Sequence, residues 1–169
     1  RAAQLFLKHL NKEKQGVQII LRKRIPTAAG LGGGSSDAAA VLHGLNQLVT
    51  AGCSDQELAA LALELGADVP FFIYAFPAAW AAGIGEQLQA AAPLRGFKVL
   101  LVNPGIAVST KEAYQTFSQI SERIALTEAA APFTLSNPLS QALPLELFND
   151  LEAVTAARHS LINTLKNRL

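Results

Sequence analysis

Pro26-Thr27-Ala28-Ala29-Gly30-Leu31-Gly32-Gly33-Gly34-Ser35-Ser36-Asp37 gathers four glycines and two serines into one short run. A β-patterned segment precedes it, and the alanine-rich Ala38-Ala39-Ala40-Val41-Leu42 follows. Glycine lets the backbone aim successive N–H groups at one point, and a helix opening directly afterwards adds its dipole. The run therefore reads as an anion cradle suited to the phosphates of a nucleotide. The alternative, a flexible Gly/Ser linker, is opposed by the patterned segments pressing on it from both sides. Two common phosphate loops are excluded by spacing. No Gly-Lys-Ser/Thr closes the run as a Walker A loop requires. Gly30-Leu31-Gly32-Gly33-Gly34-Ser35 begins like the Rossmann fingerprint but lacks its final glycine. The N–H groups from Gly32 to Ser36 are expected to face the anion, with about 0.3–1 kcal/mol from the dipole. The serine hydroxyls are within reach of a phosphate or a metal.

Working upstream, Ala2, Leu5, Phe6 and Leu10 fall at helical spacing and predict a short amphipathic helix over residues 1–13. Val17-Gln18-Ile19-Ile20-Leu21-Arg22-Lys23-Arg24 is β-branched and partly alternating, which predicts a strand. Pro26 ends it, because proline cannot donate to a ladder. Downstream, a helix is expected to start near Ser35 or Ser36, either of which can cap it, with Asp37 in its first turn. Its apolar stripe is Val41, Leu42, Leu45, Leu48 and Val49. Ser54-Asp55-Gln56-Glu57 is a capping box, and the helix behind it buries Leu58, Leu61, Ala62 and Leu65.

Beyond Gly66 the pattern shortens. Ala78-Ala79-Trp80-Ala81-Ala82 and Gln87-Leu88-Gln89-Ala90 predict a hairpin around Gly83-Ile84-Gly85. Phe97-Lys98-Val99-Leu100-Leu101-Val102 predicts a strand, and Asn103-Pro104-Gly105 a turn. Ser109-Thr110-Lys111-Glu112 is a second capping box, opening a helix through about Ser118. Residues 127–148 are rich in proline and alanine and predict loops with one short helical turn. Asn149 or Asp150 then caps a last helix carrying Val154, Leu161, Ile162 and Leu165.

Bulk properties exclude several functions. The 169 residues are half apolar with a formal net charge of +1, enough for one domain or one and a half. That balance offers no electrostatic case for nucleic acid. Cys53 is the single cysteine, so no internal disulfide forms, and with three scattered histidines it makes a poor zinc set; no metal-ligating residue is assigned. No apolar run approaches the roughly 20 residues that span a bilayer, and no signal-peptide pattern is seen at the start. The sequence has no methionine, initiator included, which suggests a fragment of a longer frame.

A second chemical candidate is Asp68, within Leu65-Gly66-Ala67-Asp68-Val69-Pro70-Phe71-Phe72. A carboxylate flanked by valine, proline and phenylalanine is expected to feel desolvation unless a cation sits nearby. The same residue also reads as a helix N-cap ahead of Val69-Pro70.

The 26–39 stretch, Gly66-Ala67-Asp68-Val69-Pro70, Gly83-Ile84-Gly85-Glu86, the segment from Pro104 to Tyr114 and Phe148-Asn149-Asp150-Leu151-Glu152 together resemble the GHMP kinases. Three consecutive glycines before the serine pair resemble one branch in particular. That branch phosphorylates the 2-hydroxyl of 4-diphosphocytidyl-2-C-methyl-D-erythritol in the non-mevalonate route to isoprenoid precursors. The resemblance implies an α+β class and the GHMP kinase fold, with a ribosomal-protein-like N-terminal part and the start of a ferredoxin-like C-terminal part. Residues 1–92 would be the ATP-binding domain without its first strands, and 93–169 the start of the C-terminal domain without its last glycine motif. ATP would be held by Pro26, Thr27, Ala28, Ala29, Gly30, Leu31, Gly32, Gly33, Gly34, Ser35 and Ser36, with Mg²⁺ near a serine. Asp68 would be the catalytic base or the orienter of the substrate hydroxyl. Tyr114 would stack on the cytosine, with ordinary helix-face packing as its alternative; Thr110 would lie near the substrate or cap its helix. Asp37 as a metal ligand is outweighed by its place near the helix dipole, and the Gly83-Ile84-Gly85-Glu86 string reads as a tight turn.

Two departures stand out. Ala28 occupies a usual glycine position and would resist a positive φ, and Tyr74-Ala75-Phe76-Pro77 falls where the family tends to glycine. The family's Pro-x-Lys-Ile/Leu-Asn strand and last glycine motif do not occur in these residues, so the chain alone is expected to turn over little. Alternatives are a GHMP kinase acting on another small alcohol, or a non-catalytic piece that at most binds nucleotide. The family implies a small-molecule partner, no nucleic acid or membrane, and a cytoplasmic or plastid-stroma location.

Overall fold

The computed structural model describes residues 1–93, 95–96, 98–121 and 149–168. The loops and one short helical turn expected over 127–148, Phe148 included, and Phe97 of the expected strand lie outside them. The chain divides into two units, Arg1–Thr27 with Leu31–Phe97 and Ala28–Gly30 with Lys98–Leu169.

In the first unit four helices share one core. Helix α1 (Ala2–His9) buries Phe6 and Leu7. Helix α2 (Gly33–Leu48) buries Ala39, Leu42 and Leu45. Helix α3 (Asp55–Leu63) buries Leu58, Ala59, Leu61 and Ala62, and short α4 (Val69–Tyr74) buries Val69, Pro70 and Ile73. Phe6, Leu42, Leu58 and Ile73 are the largest side chains sealed inside, one from each helix. The expected stripe on α2 holds at Leu42 and Leu45 but not at Leu48, which is 72% exposed on the last turn. His43 Nε2 donates to the Ile73 carbonyl oxygen (3.1 Å), tying α2 to α4 by a polar contact beside the apolar one.

The start of α3 follows its sequence closely. The Glu57 N–H donates to Ser54 Oγ at 3.3 Å, and the Ser54 N–H donates to Glu57 Oε2 at 2.8 Å, closing a reciprocal box. Strands β1 (Ala79–Ala82) and β2 (Gln87–Ala90) form the expected antiparallel hairpin, with Trp80 opposite Gln89.

Two expected strands are corrected. Residues 17–24 and 98–102 have no ladder partner among the described residues and no strand assignment. Ile20 is 77% exposed and Val99 82%. Local pattern supplies a strand's side chains but not its partner, and a strand forms only where a second segment pairs with its backbone.

The described regular elements of the second unit are three helices. Helix α5 (Thr110–Ser121) is opened by Ser109, whose Oγ accepts from the Glu112 N–H at 3.3 Å. Helix α6 (Asp150–Arg158) is capped by Asn149, whose Oδ1 accepts from the Leu151 N–H at 3.0 Å. The single last helix expected from the sequence is instead two, because His159 at φ −131° breaks it before α7 (Ser160–Lys166). Arg158 joins α6 to α5 through Glu112 and Thr116.

Helix α4 ends at Ala75, whose φ of 50° lies in the left-handed region. A β-carbon is disfavoured there, so Ala75→Gly is expected to stabilise the chain by about 0.5–1 kcal/mol after glycine's entropic cost, read as a higher urea midpoint. The Ser54 backbone N–H and then its hydroxyl hold the Glu57 carboxyl below its ordinary 4.5. A carboxyl lowered in the folded state stabilises above its unfolded value, and that contribution is lost as pH falls through the folded value. The melting-temperature gap between wild type and Glu57→Gln should therefore shrink on acidification from neutral pH.

Candidate active site

Helix α2 begins two residues earlier than expected. Its N-cap is Gly32 in the left-handed region (φ 65°), not a serine, and no side chain caps it. The Ser36 N–H already donates to the Gly32 carbonyl oxygen (2.9 Å), and Ser36 Oγ donates to the Gly33 carbonyl oxygen (3.0 Å). The N–H groups of Gly33, Gly34 and Ser35 precede the first intrahelical bond and point out of the helix end. This leaves a small set of donors at the positive end of the helix dipole. The Ser35 hydroxyl makes no hydrogen bond among the described residues.

Two of the glycines are fixed by what surrounds them. A β-carbon on Gly32 would stand 2.8 Å from Phe72 Cζ, and one on Gly33 would stand 3.0 Å from both Lys23 Nζ and Ile25 Cγ2. Phe72 belongs to α4, so the bare backbone at Gly32 seats the start of α2 against the helix that follows Asp68. Lys23 was not among the residues picked from sequence. Its ammonium pairs with Asp37 Oδ2 at 2.6 Å, beside the first turns of α2. Asp37 is thus the fifth helical residue, outside the first turn, and its partner is a cation rather than the dipole. The available signal was the Arg22-Lys23-Arg24 run just ahead of the glycines.

Asp68 stands at the N-cap position of α4, yet its side chain makes no cap hydrogen bond. Its backbone is helical (φ −83°, ψ −13°), whereas a capping residue is usually extended. Pro70, at the second helical position, also removes one N–H that a cap would use. The expected desolvation is not found: Asp68 is exposed while Val69 and Pro70 are buried. Among the described residues no hydrogen bond or ion pair engages its carboxylate. The turn at residues 83–86 approaches it, with the β-carbon position of Gly85 3.7 Å from Asp68 Oδ1.

The remaining residues singled out from sequence are exposed or half-buried. Pro26, Thr27, Ala28, Gly30 and Leu31 are exposed and Ala29 half-buried. Ala28 does adopt the positive φ (55°) that its side chain disfavours. In the second unit, Tyr114 is 58% exposed on α5. Thr110 is exposed at the first position of α5; the cap there is Ser109, not Thr110. A groove between α5 and α6, lined by Val108, Ser109, Glu112, Val154 and Arg158 among others, contains neither Thr110 nor Tyr114. Among the described residues no three of His, Cys, Asp and Glu cluster as a metal site, and no helix is long and apolar enough to cross a membrane.

The start of α2 thus opens on bare glycines and packs against α4, which Asp68 precedes with its carboxylate unengaged among the described residues. Residues 1–76 match the family described as GHMP kinases N terminal domain. Residues 1–76 thus carry a GHMP kinase N-terminal domain, and the chain has the α+β fold of that class. A protein of Syntrophotalea carbinolica named 4-diphosphocytidyl-2-C-methyl-D-erythritol kinase is 46% identical over 92% of this chain and 54% of its own length. A protein of the same name from Citrifermentans bemidjiense is 45% identical over 100% of this chain and 58% of its own. A crystal structure of 4-(cytidine 5'-diphospho)-2C-methyl-D-erythritol kinase superposes with a TM-score of 0.66 at 34% identity, over 99% of this chain and 59% of that one. The chain therefore spans a little more than half the length of the relatives it matches.

Gly32→Ala is the sharpest test of this geometry. It combines a collision with Phe72 and a left-handed backbone, so a loss of about 1–3 kcal/mol in folding stability is expected. Gly34→Ala, where nothing lies within 4 Å of the added carbon, should cost far less in the same denaturation experiment.

Proposed function

We propose that this chain carries the phosphate-binding and hydroxyl-activating part of an ATP-dependent kinase acting on the 2-hydroxyl of 4-diphosphocytidyl-2-C-methyl-D-erythritol. The observation that carries the reading is the uncapped start of α2 seated, through Gly32 and Phe72, against the helix that Asp68 precedes. The names of the relatives support the same substrate. Residues 1–92 would form the ATP-binding part and 93–169 the start of the C-terminal part.

In this reading the loop at 26–36 holds the β- and γ-phosphates, with the N–H groups of Gly33, Gly34 and Ser35 as donors. Mg²⁺, when bound with the nucleotide, neutralises phosphate charge. The free Ser35 hydroxyl fits it as an oxygen donor, since this ion usually takes few protein ligands and completes its shell with phosphate and water. The acceptor oxygen attacks the γ-phosphorus, the bond to the β–γ bridging oxygen breaks, and ADP leaves. The hydroxyl proton passes to Asp68, whose carboxylate is not engaged by any of the described residues. Tyr114 would stack on the cytosine, with Thr110 near the substrate.

ADP release in the presence of the acceptor tests the assignment. Asp68→Asn removes the base but keeps the shape, so the rate is expected to fall by about 100-fold or more, with ADP affinity unchanged. Equal rates for the two proteins would remove Asp68 from the chemistry.

A further inference from the structure

The hairpin turn beyond Asp68 is built more tightly than a connection requires. Gly83 and Gly85 both have positive φ, 69° and 117°, but for different reasons. A β-carbon on Gly83 would fall 2.5 Å from Glu86 Oε1 and 2.6 Å from Oε2, so that glycine makes room for a carboxylate folded back inside the turn. Glu86 Oε2 there accepts the Ile84 N–H at 2.8 Å, and Gln87 Nε2 donates to Oε1 at 3.3 Å. The Gly85 N–H donates to the Ala82 carbonyl oxygen at 3.1 Å and closes the turn. Glu86 is consequently a clamp within the turn.

What the clamp holds in place is Gly85. Its β-carbon position faces the neighbouring segment, 3.7 Å from the Ala67 carbonyl oxygen and 3.7 Å from Asp68 Oδ1. Any side chain at residue 85 would start in contact with the Asp68 carboxylate and extend over it. The glycine leaves that side of the carboxylate open while the turn still borders it. A turn needed only to reverse the chain has no reason to be pinned beside this aspartate.

We infer that the 83–86 turn forms a wall of the Asp68 site and limits how an acceptor alcohol reaches the carboxylate, with Gly85 determining the space available and Glu86 as the positioning residue that holds the turn. The inference rests on the reading of Asp68 as the group that meets the acceptor hydroxyl. Its own backbone N–H and that of Ile84 keep the Glu86 carboxyl below its ordinary 4.5, so the clamp stays ionised through neutral pH.

Titration calorimetry of the chain with 4-diphosphocytidyl-2-C-methyl-D-erythritol, and separately with ADP, tests the wall. Gly85→Val is expected to weaken acceptor binding by about tenfold or more, as a misfit of a few carbon atoms does, with ADP affinity at the wild-type value. Because valine is strained at this φ, Glu86→Ala provides the independent arm: it adds no bulk, frees the turn, and should also weaken the acceptor and not ADP. Glu86→Gln, which keeps an oxygen for the Ile84 N–H, should restore acceptor affinity. Wild-type acceptor affinity in both Gly85→Val and Glu86→Ala would overturn the inference, as would a parallel loss of ADP affinity, which would mark the turn as purely structural. The Asp68→Asn rate separates the two claims. Unchanged ADP release in that variant removes the reading of Asp68 whatever the turn variants do. Lost release together with unaltered acceptor binding in the turn variants removes the wall alone.

Discussion

The absence of a β-carbon at Gly32 is the constraint from which the rest of the first unit follows. It lets the backbone turn left-handed at the start of α2 and come up against the Phe72 ring. Three consequences come from that one close approach. The helix opens without a side-chain cap, so its first N–H groups face outward. Its axis is set against α4, with Leu42 and Ile73 sealed in the shared core. The residue before α4, Asp68, is then held at a helix start that it does not itself cap. A serine cap in place of Gly32 would satisfy the helix end locally and leave fewer donors for an anion.

Features with local causes were legible in the sequence. The Ser54–Glu57 box lies three residues apart and forms as read. The hairpin forms because glycines separate two short β segments. The class of protein was legible in the glycine run and in Gly66-Ala67-Asp68-Val69-Pro70. What was misread depends on partners distant in the chain. Serine is the better cap by local preference, but the start of α2 is decided by Phe72, forty residues away. Asp37 looked like a dipole residue because Lys23, its ion-pair partner, lies before the loop. Asp68 was expected to be desolvated by its neighbours, yet helical geometry turns Val69, Pro70 and Ile73 inward and leaves Asp68 outside. The segments at 17–24 and 98–102 have strand composition, but a strand is a property of a pair. The break at His159 carries neither glycine nor proline to announce it.

Ala28 and Ala75 both adopt positive φ, the region that favours glycine. A β-carbon is disfavoured there, so each position carries local backbone strain. The outward-facing N–H groups of α2 begin after Gly32, beyond Ala28. Lys23 and Asp37 form a charge pair with side chains 27% and 32% exposed. Such a pair contributes orientation more than stability, since solvent screens much of its attraction.

Trp80 is the only tryptophan in the chain, and it sits on β1, at 43% exposure, opposite Gln89. Indole emission from the whole molecule is therefore a report on one two-stranded ribbon. Circular dichroism in the far ultraviolet weighs mainly the helices. The two signals observe different parts of the same chain, and their coincidence or separation during unfolding measures whether the ribbon and the helical core melt as one cooperative body.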